Sequence, residues 1–383
     1  MPKTFARRLS NGKRLLRLVL FECLALIIGF TVLIVAAEII LKFLPVNEGM
    51  LSKSVNASSP IFQFEPNRTT QWSQFWNFSM VNEVKINNYG FVNNIDYDPK
   101  DQRPLVAIIG DSFIEAVHVP WLQTGTGRLY QEYGDTVRFY TFAAAGAPMS
   151  QYLAYAEYAR EQFQPNRLVI LIVGNDFDDS LLKYNVYPGF FHFEEQQDQT
   201  LALQLVDRPT TLLKKMLRMS DLGMYLGTNV KLQQHLKEVF TQLKNGPEVY
   251  VGNTIADANI VRIIDSKKVV DTFLAMLPQK SGLEPRQVLF LLDGIRPELY
   301  DQEELRETEG SFVDVMRNYF LQAATDINYE VIDLQPLFIE HYQQYQQPFE
   351  FPKDNHWNAV ANSVFADAIA QSQTIGLLKD QPQ

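Results

Sequence analysis

Apolar residues run almost without a break from Leu18 to Leu41, interrupted by Glu22, Gly29 and Glu38. As a helix rising about 1.5 Å per residue, this stretch covers roughly 36 Å, more than the roughly 30 Å hydrocarbon core of a bilayer. The apolar part of a cleaved signal peptide is usually shorter. The pattern therefore predicts one transmembrane helix over residues 18–41.

The segment before this helix is basic and carries no acidic residue. Its basic residues are Lys3, Arg7, Arg8, Lys13, Arg14 and Arg17. Because basic flanks stay on the cytoplasmic side of a membrane, residues 1–17 are expected to form a cytoplasmic tail. The chain after Pro45 is then extracytoplasmic, in a single-pass protein of the cell membrane. Two alternatives stay open: a signal peptide cleaved near Val35-Ala36-Ala37, and a helix buried in a soluble protein.

Short apolar runs alternate with amphipathic stretches over the rest of the chain. The runs are Leu105–Ile109, Val137–Phe142, Leu168–Val173, Gln287–Leu292 and Tyr329–Ile332. Continuous apolar runs without alternation are typical of strands buried on both faces of a parallel sheet. Amphipathic helices are predicted between and after them, including Gln151–Gln162, Phe312–Thr325 and Asn358–Gln371. The pattern thus predicts an α/β fold with helices on both sheet faces.

Two further segments complete the predicted organisation. Residues 42–100 have no sustained period and are expected to form a stalk and a lead-in to the main domain, residues 101–383. The gap between the third and fourth strands is far longer than one crossover needs. Its helical patterns, at Thr211–Met219, Leu222–Gln242 and Ala256–Met276, predict an inserted helical cap over about residues 185–285.

Composition narrows the classes of function. A net charge of -10 disfavours a nucleic-acid partner, because phosphate contacts need clustered Lys and Arg. Cys23 is the single cysteine and the five histidines are widely scattered, so we predict no metal site. No Walker A or GxGxxG motif is present, and no cofactor is expected.

Candidate chemistry lies where the predicted strands end. In open α/β sheets, ligands bind at the carboxyl ends of the strands. Four groups fall at that edge or at the start of the last helix: Gly110-Asp111-Ser112, Ala145-Gly146-Ala147, Gly174-Asn175-Asp176 and Asp354-Asn355-His356. We therefore expect them to converge on one site.

These residue types suit acyl transfer by a serine. A serine hydroxyl needs a base to remove its proton, and the base needs a third group to orient it. Ser112, His356 and Asp354 can fill those three roles. The backbone N–H groups of Ser112 and Gly146 and the side-chain amide of Asn175 can donate to the oxyanion of an acyl-transfer intermediate.

The four groups resemble the Ser, Gly, Asn and His blocks of the SGNH or GDSL hydrolases, in the same chain order. The resemblance covers about residues 105–370 without the cap, and Asn87-Asn88-Tyr89-Gly90-Phe91 resembles the lead-in of membrane-anchored members. It implies a flavodoxin-like, five-stranded parallel sheet. It also implies Ser112 as nucleophile, His356 as base oriented by Asp354, and Gly146 and Asn175 as oxyanion donors.

Two departures from the family pattern shape the expected function. Gly174 directly precedes Asn175, and the acid lies two residues before His356 instead of three. The Asp-x-His-Trp block resembles polysaccharide O-acetyltransferases of the superfamily. The expectation is a serine esterase or O-acyltransferase acting on an acyl ester, with acetyl groups of a cell-surface glycan favoured. The alternatives are a lipid or thioester hydrolase and a non-catalytic scaffold in surface-polysaccharide assembly.

Overall fold

Five strands form one parallel sheet in the computed structural model, which describes residues 3–209, 218–245 and 248–379. The strands are β1 (Leu105–Gly110), β2 (Arg138–Ala143), β3 (Arg167–Ile172), β4 (Val288–Leu292) and β5 (Glu330–Asp333). Their order across the sheet is β5-β4-β3-β1-β2, and every neighbouring pair is parallel. This is the flavodoxin-like order, so the predicted fold class is confirmed.

The sheet is buried on both faces, which explains why its strands read as continuous apolar runs. Every residue of β1, β2, β3 and β4 is buried. Alternate residues of β1 point to opposite sides: Ala107 and Ile109 belong to one core cluster, and Val106 and Ile108 to the other. A strand with two buried faces has no position at which a polar residue is needed.

Helices form a layer on each face. Met149–Phe163, Ile260–Ser281 and Phe312–Asp326 pack on one side, and Gly125–Tyr133, Leu334–Tyr345 and Ala359–Gln371 on the other. The other α-helices in the described part of the chain are Lys3–Leu41, Ser112–Glu115, Asp176–Asp179, Asp221–Met224, Leu232–Asn245, Gln302–Glu307 and Gln373–Lys379. Within the described residues, four two-stranded pairs lie outside the main sheet: Arg68–Gln74 with Met80–Ile86, Phe191–Glu195 with Leu201–Leu205, Tyr250–Val251 with Thr254–Ile255, and Glu350–Phe351 with Asp354–Trp357.

The N-terminal helix Lys3–Leu41 is a candidate membrane span over Arg17–Leu41, with a mean hydropathy of 2.8 in its most apolar window. Most apolar side chains over residues 18–40 are exposed, as for Phe21 and Leu26. A helix of this length and composition near the N-terminus is suited either to span a bilayer or to act as a signal sequence.

The segment 42–100 differs from the predicted stalk, because it packs on the main domain. Phe62, Phe64, Phe91 and Tyr97 belong to the core cluster on one sheet face. Asn87 shapes the lead-in, since its side-chain oxygen accepts hydrogen bonds from the backbone N–H groups of Tyr89 and Phe91. These aromatic residues lie outside the regular strands and helices, so they follow neither a helical nor a strand period.

The predicted helical cap is also only partly helical. The predicted helix over 211–219 lies mostly outside the described residues. Leu222–Gln242 divides into Asp221–Met224 and Leu232–Asn245, separated by a π-helical turn. The predicted Ala256–Met276 helix is Ile260–Ser281, which covers the sheet directly because its Val269, Phe273 and Leu277 are fully buried.

Candidate active site

Ser112 begins a short helix directly after β1, at the carboxyl edge of the sheet. Asp111 caps this helix, because its Oδ1 accepts a hydrogen bond from the backbone N–H of Phe113 at 3.0 Å. Burial raises the pKa of Asp111 to about 6, an effect that the Phe113 hydrogen bond opposes. Asp111 therefore holds the turn that presents Ser112.

His356 connects Ser112 with Asp354. Its Nε2 lies 2.9 Å from Ser112 Oγ, and its Nδ1 lies 2.5 Å from Asp354 Oδ1. The backbone N–H of His356 donates to the same Asp354 oxygen at 2.9 Å. With the proton on Nδ1, Nε2 is free to accept the hydrogen of the Ser112 hydroxyl. The arrangement has the connectivity of a nucleophile, a base and an orienting acid.

The environment of Asp354 keeps it ionised. Partial burial raises the pKa of Asp354, but the hydrogen bonds and charge of His356 outweigh that effect and hold the pKa well below its ordinary value. A carboxylate two residues before the histidine can reach Nδ1 here because both lie on the short strand Asp354–Trp357. The departure from the three-residue spacing therefore leaves the acid within reach of the base.

A buried ion pair fixes the strand that carries Asp354 and His356. Arg296 bonds Asp293 at 2.6 Å and also donates to the backbone oxygen of Asn355 at 3.1 Å. The indole N–H of Trp357 donates to Asp293 at 3.0 Å. Bonds on both sides of His356 limit its movement along the strand, so its ring stays aimed at Ser112.

Gln74 contacts Asp354, which the sequence did not indicate. Its side-chain N–H donates to Asp354 Oδ2 at 2.8 Å, although 280 residues separate the two. Gln74 is buried at the end of Arg68–Gln74, in the segment predicted as a stalk. No local spacing could reveal it, because the contact depends on how this hairpin packs against the main domain.

His118 is a second unpredicted neighbour. Its ring stacks on the ring of His356, with centroids 3.9 Å apart and planes 18° apart. The Trp72 ring lies edge to face with it, with centroids 4.7 Å apart. Burial lowers the pKa of His118 to about 3, so the ring is neutral at ordinary pH. The possible ligand atoms of His118, Asp354 and His356 lie within 4.8 Å of one another. The atoms of Asp354 and His356 in this group already bond each other and Ser112, which favours proton transfer among those three residues over metal binding.

Gly146 lies in the loop after β2 and lines the same cleft as Ser112. Its φ of 78° is one that L side chains rarely adopt. The neighbouring backbone N–H of Ala145 donates to Glu115 Oε2 at 3.2 Å. Glu115 is buried, and that burial raises its pKa to about 8. The carboxyl group of Glu115 thus holds the loop that carries Gly146, a role for which the sequence offered no signal.

Asn175 reaches the cleft from the turn after β3. Its side-chain N–H donates to Asp179 at 3.0 Å, and its side-chain oxygen accepts from Asn253 at 2.7 Å. A carboxamide nitrogen carries two hydrogens, so Asn175 can still donate to an oxyanion. Gly174 makes room for Asn253, since a Cβ at Gly174 would lie 2.4 Å from the Asn253 side-chain oxygen.

The cleft over these residues has a volume of about 460 Å³. Besides Ser112, Gly146, Asn175, Asp354 and His356, its lining includes Gln74, Phe75, Phe113, Asn229, Lys231, Gln234, His235, Asn253, Lys353 and Asn355. Most of these side chains are carboxamides or cations. The structure therefore brings all five predicted site residues together at one polar cleft, which the insertion partly lines.

Comparisons with known proteins give matches among solved structures only. No protein-family model matches the sequence, and no curated protein matches it. A GDSL-like lipase from Parabacteroides merdae is 11% identical, with 72% of this chain and 97% of that chain covered and a TM-score of 0.38. A member of the lipolytic G-D-S-L family from Veillonella parvula is 12% identical, with 70% and 98% covered and a TM-score of 0.36.

A two-domain esterase active on acetylated mannans is a further match. It is 10% identical, with 73% of this chain and 51% of that chain covered and a TM-score of 0.37. The solved structures that this chain resembles thus include GDSL-family lipolytic esterases.

Proposed function

We propose that this chain is a membrane-anchored serine esterase or O-acyltransferase of SGNH type. The observation that carries the proposal is the unbroken contact from Ser112 Oγ through His356 to Asp354, at 2.9 Å and 2.5 Å. The nucleophile and the base lie within hydrogen-bond reach, and a low-pKa carboxylate orients the base. Residues 18–41 anchor the chain, with its N-terminus in the cytoplasm and the cleft outside.

The first half of the reaction transfers an acyl group to the enzyme. His356 Nε2 takes the proton of Ser112 Oγ as that oxygen attacks the ester carbonyl, and the resulting imidazolium is stabilised by Asp354. The N–H groups of Ser112, Gly146 and Asn175 bind the oxyanion. As the tetrahedral intermediate collapses, His356 returns the proton to the leaving alcohol, and Ser112 carries the acyl ester.

The second half repeats these steps with a new nucleophile. His356 removes a proton from water or from a sugar hydroxyl, which attacks the acyl-Ser112 carbonyl. Water completes an esterase cycle, and a sugar hydroxyl completes a transferase cycle. In both cases Ser112 leaves with the proton from His356, and the enzyme returns to its starting state.

The cleft lining supports a short acyl group on a polar acceptor. Carboxamides and lysines line the space above Ser112, and Phe75 and Phe113 are its aromatic members. Carboxamide groups both donate and accept hydrogen bonds, as recognition of hydroxyl groups requires, whereas a long acyl chain needs an apolar groove. We therefore favour acetyl esters of a cell-surface glycan over a lipid or thioester substrate.

The test uses the full-length chain in detergent. A serine-directed fluorophosphonate probe should label it, and Ser112→Ala should abolish labelling. Hydrolysis of p-nitrophenyl esters of graded chain length should then be fastest for acetate. Preference for long chains would instead favour the lipid hydrolase. A folded chain with neither labelling nor turnover would leave the scaffold as the remaining candidate.

A further inference from the structure

The helix Leu232–Asn245 has an apolar stripe that faces solvent. Leu232, Leu236, Val239 and Phe240 follow helical spacing and are 43%, 52%, 53% and 70% exposed. On the other side of the same helix, Gln234 lines the catalytic cleft. A helix with one polar and one apolar face is typical of segments that lie in the plane of a membrane surface.

This part of the chain is tied to the outer end of the predicted membrane span. Glu38, in the last turn of the apolar stretch, accepts hydrogen bonds from the Ser220 hydroxyl at 2.9 Å and from the backbone N–H groups of Asp221 and Leu222 at 2.8 Å and 3.0 Å. Leu41 packs in one apolar cluster with Met224. Residues 220–224, which precede the helix Leu232–Asn245, are therefore held at the height along the membrane normal where the span ends.

A buried hydrogen-bond network connects the same level with the cleft. Ser73 Oγ donates to the backbone oxygen of Pro45 at 2.6 Å and accepts from Asn229 at 2.8 Å. Asn229 also accepts from the backbone N–H of Asn47 at 3.1 Å. Gln74, next to Ser73, donates to Asp354. Few residues thus separate the end of the span from the proposed catalytic triad of Ser112, His356 and Asp354, so the cleft cannot lie far from the membrane.

Other exposed apolar side chains lie in the segments that contact the end of the span. Phe43 and Met219 are each 85% exposed, and Trp76 is 69% exposed. The hydroxyl of Tyr225 donates to the backbone oxygen of Trp76 at 2.8 Å, which joins two of these segments. Tryptophan and tyrosine are enriched where a protein meets the headgroup layer of a bilayer.

We propose that these side chains form an interfacial surface that inserts into the outer face of the bilayer crossed by residues 18–41. It consists of Phe43, Trp76, Met219, Leu232, Leu236, Val239 and Phe240. This inference rests on the proposed membrane anchor but not on the proposed chemistry. Because Gln234 lies on the cleft side of the same helix, insertion holds the mouth of the cleft beside the headgroups. If the proposed function holds as well, substrates reach the cleft from the membrane surface.

Fluorescence in proteoliposomes tests the surface directly. Cys23 is the chain's single cysteine, so Cys23→Ala gives a background in which Leu236→Cys and Val239→Cys can each carry a nitrobenzoxadiazole label. Gln234→Cys, on the opposite face of the helix, is the matched control. In vesicles of phosphatidylcholine and phosphatidylglycerol, lipids brominated near the headgroup should quench the labels at 236 and 239 strongly and the label at 234 weakly.

Equal and weak quenching at all three positions would overturn the proposal. Blue-shifted emission at 236 and 239 without quenching would also overturn it, since a protein partner or a second copy would then cover the stripe. Thermal unfolding of each labelled chain excludes misfolding as the cause. The same quenching is measured in a Ser112→Ala background, where membrane insertion should be unchanged because it does not depend on catalysis. Loss of activity would therefore not affect this test. Absence of quenching, in turn, would not affect the esterase proposal.

Discussion

The side chain of Gln74 donates a hydrogen bond to Asp354 Oδ2 at 2.8 Å, on the oxygen that His356 Nδ1 does not use. One carboxylate is therefore held from two sides by groups from distant parts of the chain. The contact orients Asp354 toward His356 and joins the N-terminal hairpin to the triad.

Loss of this contact should reduce catalysis. A hydrogen bond to a charged group contributes about 1.5–3 kcal/mol, so Gln74→Met, which keeps the size but removes the donor, should lower kcat by roughly 10- to 100-fold. Gln74→Glu should be worse, because it places a second carboxylate against Asp354. The measurement is kcat on p-nitrophenyl acetate beside thermal unfolding. An unchanged kcat in Gln74→Met would show that Gln74 contributes packing only and that its hydrogen bond to Asp354 does not support catalysis.

Ser112→Ala and His356→Ala should each abolish turnover to a similar residual level. Members of one catalytic unit are non-additive, so the double variant should be hardly slower than either single one. Comparison of kcat/KM for the three variants measures this. If the losses multiplied, Ser112 and His356 would be acting independently, contrary to the 2.9 Å contact between them.

Asn175→Ala should lower kcat by roughly 100- to 1000-fold with little change in KM, because the bond to the oxyanion strengthens mainly in the transition state. Asn253→Ala keeps the Asn175 side-chain N–H but removes the hydrogen bond that the Asn175 oxygen accepts from Asn253 at 2.7 Å. This variant should therefore lower kcat less than Asn175→Ala does. Equal kcat in wild type and Asn175→Ala, per folded molecule, would limit Asn175 to shaping its turn.

Glu115 should make stability depend on pH. Its pKa rises from an ordinary value of 4.5 to about 8 in the fold, so the native state binds more protons than the unfolded state between those values. The free energy of unfolding then falls as pH rises through this window. Glu115→Gln removes that term, and its stability relative to wild type should increase toward pH 8 by up to a few kcal/mol, on the order of 1.4 kcal/mol per pKa unit.

Denaturant titrations at several pH values measure the difference in free energy of unfolding between Glu115→Gln and wild type. The change of this difference with pH reports the titration of Glu115, because any destabilisation by the amide itself is the same at every pH. The same substitution at the exposed Glu303 controls for general loss of a carboxylate. A flat difference between wild type and Glu115→Gln would show that Glu115 titrates alike in the folded and unfolded chains.

The predicted topology can be tested independently of catalysis. A reporter fused after Gln383 should be active outside the cytoplasm, and the protein should stay with membranes after carbonate washing. Replacing the basic residues of the tail with Glu should scramble the orientation, because the positive flank sets it. Release of the domain into the soluble fraction would instead favour a cleaved signal sequence.

The sequence by itself determined the α/β architecture and the edge of the sheet at which the candidate site residues meet. Strands buried on both faces are mostly apolar, which made β1 to β4 readable within one or two residues. Parallel strands share one carboxyl edge, which made the convergence of Ser112, Gly146 and Asn175 predictable. These features depend on local pattern and on a rule of topology.

Tertiary structure alone decided what surrounds those residues. Gln74 and His118 reach the triad through packing between segments far apart in the chain, and no periodicity or spacing encodes such contacts. The same cause made the segment 42–100 part of the core, because its aromatic side chains pack with residues from distant parts of the domain. Burying such side chains in a closely packed core stabilises the fold. Which side chains meet across a core depends on the shape of the whole fold, which a local pattern does not contain.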